Sequence, residues 1–182
     1  QWPQKRELSR KIVHIGTGPI IPLAWWLAIS AKLAIAVAII VTIGLIINHQ
    51  VKLLPAIEDV QRQSYGTIAY GISISILLSI FWSDNPAVVC AGVLVMAFGD
   101  GLAGLIGRQL KSPSWHIMGQ RKSIAGTLTM ALITTILLLS IINVSGAEIH
   151  PLRVIGITLL ATILEQIGPR PRYGTVEWQC SD

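Results

Sequence analysis

The sequence predicts an all-α, polytopic membrane helix bundle with about six transmembrane helices, and three observations carry that expectation. Hydrophobic residues make up 52% of the chain and charged residues 13%, with a mean hydropathy of +0.64, an apolar surplus and charge deficit foreign to water-soluble domains. The apolar residues gather into runs at about 15–29, 33–47, 65–82, 86–107, 124–142 and 151–167, each near the roughly 20 residues that cross a hydrocarbon core about 30 Å thick. None of the runs alternates in polarity as a barrel strand does, and a lipid-embedded backbone that must satisfy itself then leaves helices.

Charge distribution gives the bundle a direction. With six crossings, Lys5, Arg6, Arg10, Lys11, Lys52, Arg62, Arg108, Lys111, Arg121, Lys122, Arg170 and Arg172 fall on one side, and only Lys32 and Arg153 fall on the other. The positive-inside rule therefore places both termini on the cytoplasmic or stromal side. Trp25, Trp26 and Trp82 fall where the first and third helices reach the far interface, as an aromatic belt requires. Cys90 and Cys180 form neither a disulfide framework nor a metal site, and no nucleic-acid partner is expected. Residues 1–167 read as one membrane-embedded domain. The polar, proline-interrupted stretch 168–182 reads as a tail, a truncated or frameshifted end, and Gln1 in place of Met reads as the start of a fragment.

The amino-terminal stretch sets Glu7, Arg10, Lys11, His14 and Gly18 at spacings of three and four, on one helical face. Two readings stand for it. Arg10 and Lys11 hold phosphate with His14 as proton carrier or hydrogen-bond donor, or the cations are a topology signal and His14 serves a helix contact. Pro19 and Pro22 predict a kink or a locally opened first helix. The second helix, Leu33 to Ile47, is structural. The connection His49 to Ser64 carries Leu53, Leu54, Ile57 and Val60 at near-helical spacing, an amphipathic surface helix whose Glu58 and Asp59 are solvated charges or, alternatively, metal ligands. Gly66, Gly71, Ser73, Ser75 and Ser79 of the third helix are small residues that allow close helix approach.

The fourth helix holds the stretch on which function turns, Ala-Phe-Gly-Asp-Gly-Leu-Ala-Gly-Leu-Ile-Gly-Arg at residues 97–108. On a continuous helix Asp100, Gly104, Gly107, Arg108 and Lys111 form one stripe, with Asp100 about 10 Å below Gly107. A carboxylate within the apolar slab costs on the order of 3 kcal/mol on insertion scales, a cost usually retained for function. Gly99, Gly101, Gly104 and Gly107 supply packing or exposed backbone beside it. Gly99-Asp-Gly101-Leu-Ala-Gly104 matches a dinucleotide fingerprint in letters only, because no strand precedes it. Residues 108–123 then form a basic loop with Arg108, Lys111, His116, Arg121 and Lys122. Its last cations stand just before the fifth helix, where free backbone N–H groups favour an anion and Ser123 caps or donates. The sixth helix ends at Glu165. His14, Asp100 and Glu165 thus lie towards one membrane face, where a water-soluble anion and a lipid meet. Phosphoryl transfer suits that place: Asp100 for Mg²⁺, and Arg108, Arg121 and Lys122 for phosphates.

Four motifs, Glu7-Leu-Ser-Arg-Lys-Ile-Val-His14, Arg62-Gln-Ser-Tyr-Gly-Thr67, Phe98-Gly-Asp-Gly-Leu-Ala-Gly-Leu-Ile-Gly-Arg108 and Lys122-Ser-Ile-Ala-Gly-Thr127, resemble the polyprenol kinase family. The likeness is strongest to its phytol kinase branch, with dolichol kinase and the CTP-dependent diacylglycerol kinases more distant. The resemblance spans about residues 7–165. It implies transfer of a phosphoryl group from CTP, with Mg²⁺, to the hydroxyl of an isoprenoid alcohol such as phytol at the bilayer, and a place in phytol salvage towards tocopherol. His14 or Glu165 would assist the hydroxyl. Members of the family continue past the position of Glu165 into an Asp-Asn segment and a further apolar span, which residues 168–182 do not resemble. A cytidylyltransferase acting on a lipid phosphate, a small transporter using Asp100 as an ion site and a non-catalytic assembly subunit are the competing readings.

Overall fold

A computed structural model describes residues 15–51, 66–117 and 120–167. Arg10, Lys11, His14, the surface helix expected within 49–64 and the tail 168–182 lie outside the described residues, His49 to Val51 of that connection excepted.

The six apolar runs become six helices among the described residues: α1 (Ile20–Trp26), α2 (Ala31–Val51), α3 (Gly66–Phe81), α4 (Pro86–Gln109), α5 (Ile124–Ser145) and α6 (Pro151–Ile167). Three of them, α2, α4 and α5, are long and apolar enough to cross a membrane, and α3 is a shorter apolar helix. Their outward faces carry large bare side chains such as Ile40, Leu128 and Leu152. That is the surface of a protein whose solvent is lipid. The bundle is therefore an all-α membrane fold, with one departure in the connection between α4 and α5.

Proline shapes the entry as expected. Residues 15–17 are helical, a turn follows at Gly18 and Pro19, and α1 restarts at Ile20. α1 ends in a Schellman pair, with Ala28 N–H donating to Trp25 O and Ile29 N–H to Ala24 O. The left-handed position falls on Ala28, at φ 51°, where glycine is the usual occupant.

α2 and α3 form a tightly packed pair. The Thr42 and Ser75 hydroxyls lie 3.1 Å apart, and a Cβ on Gly71 would sit 2.9 Å from Thr42 Oγ1, so the small residues of α3 do serve close approach. Trp82, at the end of α3, is 5% exposed, packs with Leu78, Val89 and Val93, and donates its indole N–H to Ile29 O at 3.0 Å. It is a core residue tying α3 to the end of α1, where sequence position alone suggested an interfacial aromatic. Trp26, 81% exposed, keeps the outward aspect expected of the belt.

The middle of α4 is a π-helical turn, Val95–Asp100, between α-helical halves Pro86–Leu94 and Gly101–Gln109. After Gln109 the chain is extended at Leu110, so Lys111 leaves the helix. The segment expected to be a basic loop contains an antiparallel hairpin, β1 (Ser114–Ile117) and β2 (Gln120–Ser123), with Trp115 opposite Lys122 and His116 opposite Arg121. β2 runs directly into α5.

Candidate active site

Three faces of α4 are distinguished by what touches them. Gly99, Ala103 and Gly107, four residues apart, meet α5: a Cβ on Gly99 would lie 2.8 Å from Met130 Sδ, one on Gly107 2.8 Å from Ser123 Oγ, and one on Gly126 3.0 Å from Ala103 O. Gly101 meets the incoming amino-terminal segment, where a Cβ would lie 2.7 Å from Ile15 Cγ1, and Gly18 sits in the same way against Ala97. Between these faces runs the stripe Asp100, Gly104 and Arg108, with both charged residues exposed and Gly104 half-buried.

The stripe expected from spacing is thereby corrected. Gly107 turns into the helix contact rather than exposing backbone, and Lys111 lies past the helix end. Gly99 and Gly101 are buried packing positions. Asp100 closes the π turn, and among the described residues no hydrogen bond or ion pair engages its carboxylate. The described residues contain no group of three His, Cys, Asp or Glu side chains able to hold a metal.

The hairpin separates the two cations that stand together in sequence. Successive strand residues face opposite ways, so Arg121 shares a face with His116 and Ser114, is exposed, and donates Nε–H to Ser114 Oγ at 3.1 Å. Lys122 turns to the bundle. Its ammonium forms an ion pair with Glu165 Oε1 and donates to Glu165 O at 2.6 Å, with both side chains 12% exposed.

The amino terminus of α5 is closed by its own chain. Ser123 is the N-cap, accepting from Gly126 N–H at 3.2 Å and donating to Gly107 O at 3.1 Å. Ile124 N–H donates to Pro113 O and Ala125 N–H to Ser112 Oγ. The free donors expected there for an anion are therefore already committed, and only the dipole remains to attract one.

Two residues that sequence reasoning passed over complete the Glu165 side. Gln166 Nε2 donates to Glu165 Oε2 at 2.8 Å and to Thr127 Oγ1 at 2.9 Å, and Thr127 donates to Ser123 O at 3.1 Å. The available signal was a polar pair, Glu165-Gln166, at the end of an apolar helix, and a threonine four residues after the cap. The structure thus joins Lys122, Ser123 and Glu165 through Thr127 and Gln166, carries Asp100 and Arg108 on the bare stripe of α4, and sends Arg121 to the outer face of the hairpin.

No protein-family model matches the chain, and no solved structure matches it. Curated proteins do. The chain is similar to a phytol kinase of Synechocystis sp., 43% identical over 128 residues that cover 69% of this chain and 54% of that protein. It is similar to a probable phytol kinase 2, chloroplastic, of Oryza sativa, 29% identical over 140 residues, 70% of this chain and 45% of the relative. A farnesol kinase, chloroplastic, of Arabidopsis thaliana is 28% identical over 138 residues, 69% of this chain and 44% of the relative. The chain spans about half the length of the curated relatives it matches.

Proposed function

We propose, on the premise that the chain belongs to the polyprenol/phytol kinase family, that it transfers the terminal phosphoryl group of a nucleoside triphosphate, CTP by resemblance, to the hydroxyl of an isoprenoid alcohol such as phytol. The observation that carries this reading is the 43% identity to a phytol kinase over 128 residues. The alcohol oxygen forms a bond to the terminal phosphorus, the bond from that phosphorus to its bridging oxygen breaks, the nucleoside diphosphate leaves with the electron pair, and the hydroxyl proton passes to a base.

The residues divide these tasks by their surroundings. Asp100 offers an exposed carboxylate that no described residue engages, which suits Mg²⁺, an ion commonly held by one or two carboxylates together with substrate phosphates. When bound, that ion offsets charge on the transferring group. Arg108 on the same stripe and Arg121 on the hairpin serve the phosphates. Lys122 uses its ammonium on Glu165 and keeps a third N–H for the phosphoryl oxygens. Glu165, held by Lys122 and Gln166, is the base on this reading. Arg10 and Lys11, outside the described residues, are proposed for the phosphates and His14 for assistance at the hydroxyl.

Membranes containing the full chain, incubated with CTP, ATP and a panel of prenols, test the proposal. Phytyl phosphate and CDP are the expected products. Release of pyrophosphate with CMP left on a lipid would reassign the chain as a cytidylyltransferase.

A further inference from the structure

We infer that Gln166 is the residue that recognises the hydroxyl of the lipid alcohol, an assignment that rests on the kinase reading above. The inference follows from the direction of each hydrogen bond around it. Ionised Glu165 only accepts, so the Gln166 amide turns its NH₂ to Oε2, 2.8 Å away. Thr127 commits its single hydroxyl hydrogen to Ser123 O at 3.1 Å, so it accepts the second amide hydrogen at 2.9 Å. Both donors of the amide are thereby fixed and its oxygen is fixed with them. Gln166 Oε1 is buried and has no hydrogen-bond partner among the described residues.

A buried acceptor in this state is destabilising until a donor arrives, and the arrival of a donor recovers that loss. The flanks of the network indicate which donor. Ile163, three residues before Gln166 on α6, and Leu128, next to Thr127 on α5, are exposed apolar side chains, so a lipid-facing surface flanks the network. A molecule reaching the amide from there is apolar over most of its length and carries one neutral donor at its end. A long-chain alcohol has that form. A nucleotide is polar and charged over most of its length and does not. During transfer that hydrogen leaves Gln166 Oε1 for the neighbouring Glu165 carboxylate, so the phosphorylated product has lost its bond to Gln166.

The test uses the full chain in nanodiscs and the displacement of tritiated phytol by unlabelled phytol or by phytene, the same hydrocarbon without the hydroxyl. The parent is expected to prefer the alcohol by roughly threefold to tenfold, the range of one hydrogen bond. Gln166→Met, which keeps the length of the side chain and removes the acceptor, is expected to bind the two nearly equally. A preference for the alcohol that survives Gln166→Met, or a parent without one, overturns the inference. Should that variant fail to fold, Thr127→Val replaces it: loss of one anchor lets the amide turn, a reduced preference supports the assignment and an unchanged one overturns it. Prenol phosphorylation by the same parent is measured in parallel. Its absence, with a hydroxyl preference that depends on Gln166, would refute the kinase reading while leaving the hydroxyl subsite standing.

Discussion

Replacing Gly107 by alanine probes the seam between α4 and α5 with a single methyl group. The added Cβ would lie 2.8 Å from Ser123 Oγ, 3.2 Å from Gly126 Cα and 3.4 Å from Gly126 N. Two of these neighbours are backbone. The third is not free to rotate away, because Ser123 Oγ donates to Gly107 O and accepts from Gly126 N–H. α5 must therefore retreat, at the roughly 1–3 kcal/mol typical of overpacking, and the strained cap adds up to about 1 kcal/mol. Alanine returns about 1 kcal/mol through helix propensity. The net expectation is destabilisation by up to about 3 kcal/mol. Gly44→Ala in α2 and Gly156→Ala in α6 provide the comparison, since nothing lies within 4 Å of a Cβ at either position. They carry the same propensity gain without the clash and should range from neutral to about 1 kcal/mol more stable. Denaturation in detergent micelles, followed by tryptophan fluorescence, reads all three. A Gly107→Ala protein as stable as Gly44→Ala would refute the close approach of the two helices.

Three further expectations concern charge and backbone. Lys122→Met or Glu165→Gln alone should destabilise by about 3–5 kcal/mol, because each leaves the surviving partner buried beside an uncharged group, and the double variant should recover a large part of that loss; a double-mutant cycle without coupling in the same assay would refute the ion pair. Asp100→Asn should leave stability within about 0.5 kcal/mol, as expected of an exposed side chain without described partners, yet abolish prenol phosphorylation; retained activity would remove Asp100 from the proposed metal role. Ala28→Gly should stabilise by up to about 1 kcal/mol, since it relieves a left-handed alanine at the end of α1, and a destabilised variant would contradict the Schellman geometry there.

Helix positions were legible because membrane spans announce themselves by length and apolarity, and α2, α4 and α5 follow the runs closely. The two elements that shape the site left weaker marks. The π turn in α4 adds one residue to a turn without changing composition, and its trace is a shift of phase: Val89, Cys90, Val93 and Ala97 share a buried face, after which Asp100 and Arg108 emerge exposed. The hairpin has four-residue strands that mix Trp115, His116 and Ile117 with Arg121 and Lys122, too short for alternation to stand out beside Pro113 and Gly119. Read as a loop, this segment seemed to gather its cations at one phosphate, whereas strand geometry divides them. The Asp100 stripe was legible apart from Gly107 and Lys111. The partners of Glu165 were not, since Lys122 and Glu165 are 43 residues apart and only the packing of α5 against α6 brings them together.

The hairpin also restricts how this connection can change in length. Arg121 and Lys122 have opposite partners because they occupy alternate positions of one strand, and that assignment depends on parity. Inserting one residue between Lys122 and Ser123, which is held as the α5 cap, would turn the arginine towards Glu165 and the lysine towards water. A change of two residues would keep each cation on its own face. Length variation in this connection among functional sequences should therefore occur in even steps within the strands, with odd steps confined to the turn or to the segment before Ser114.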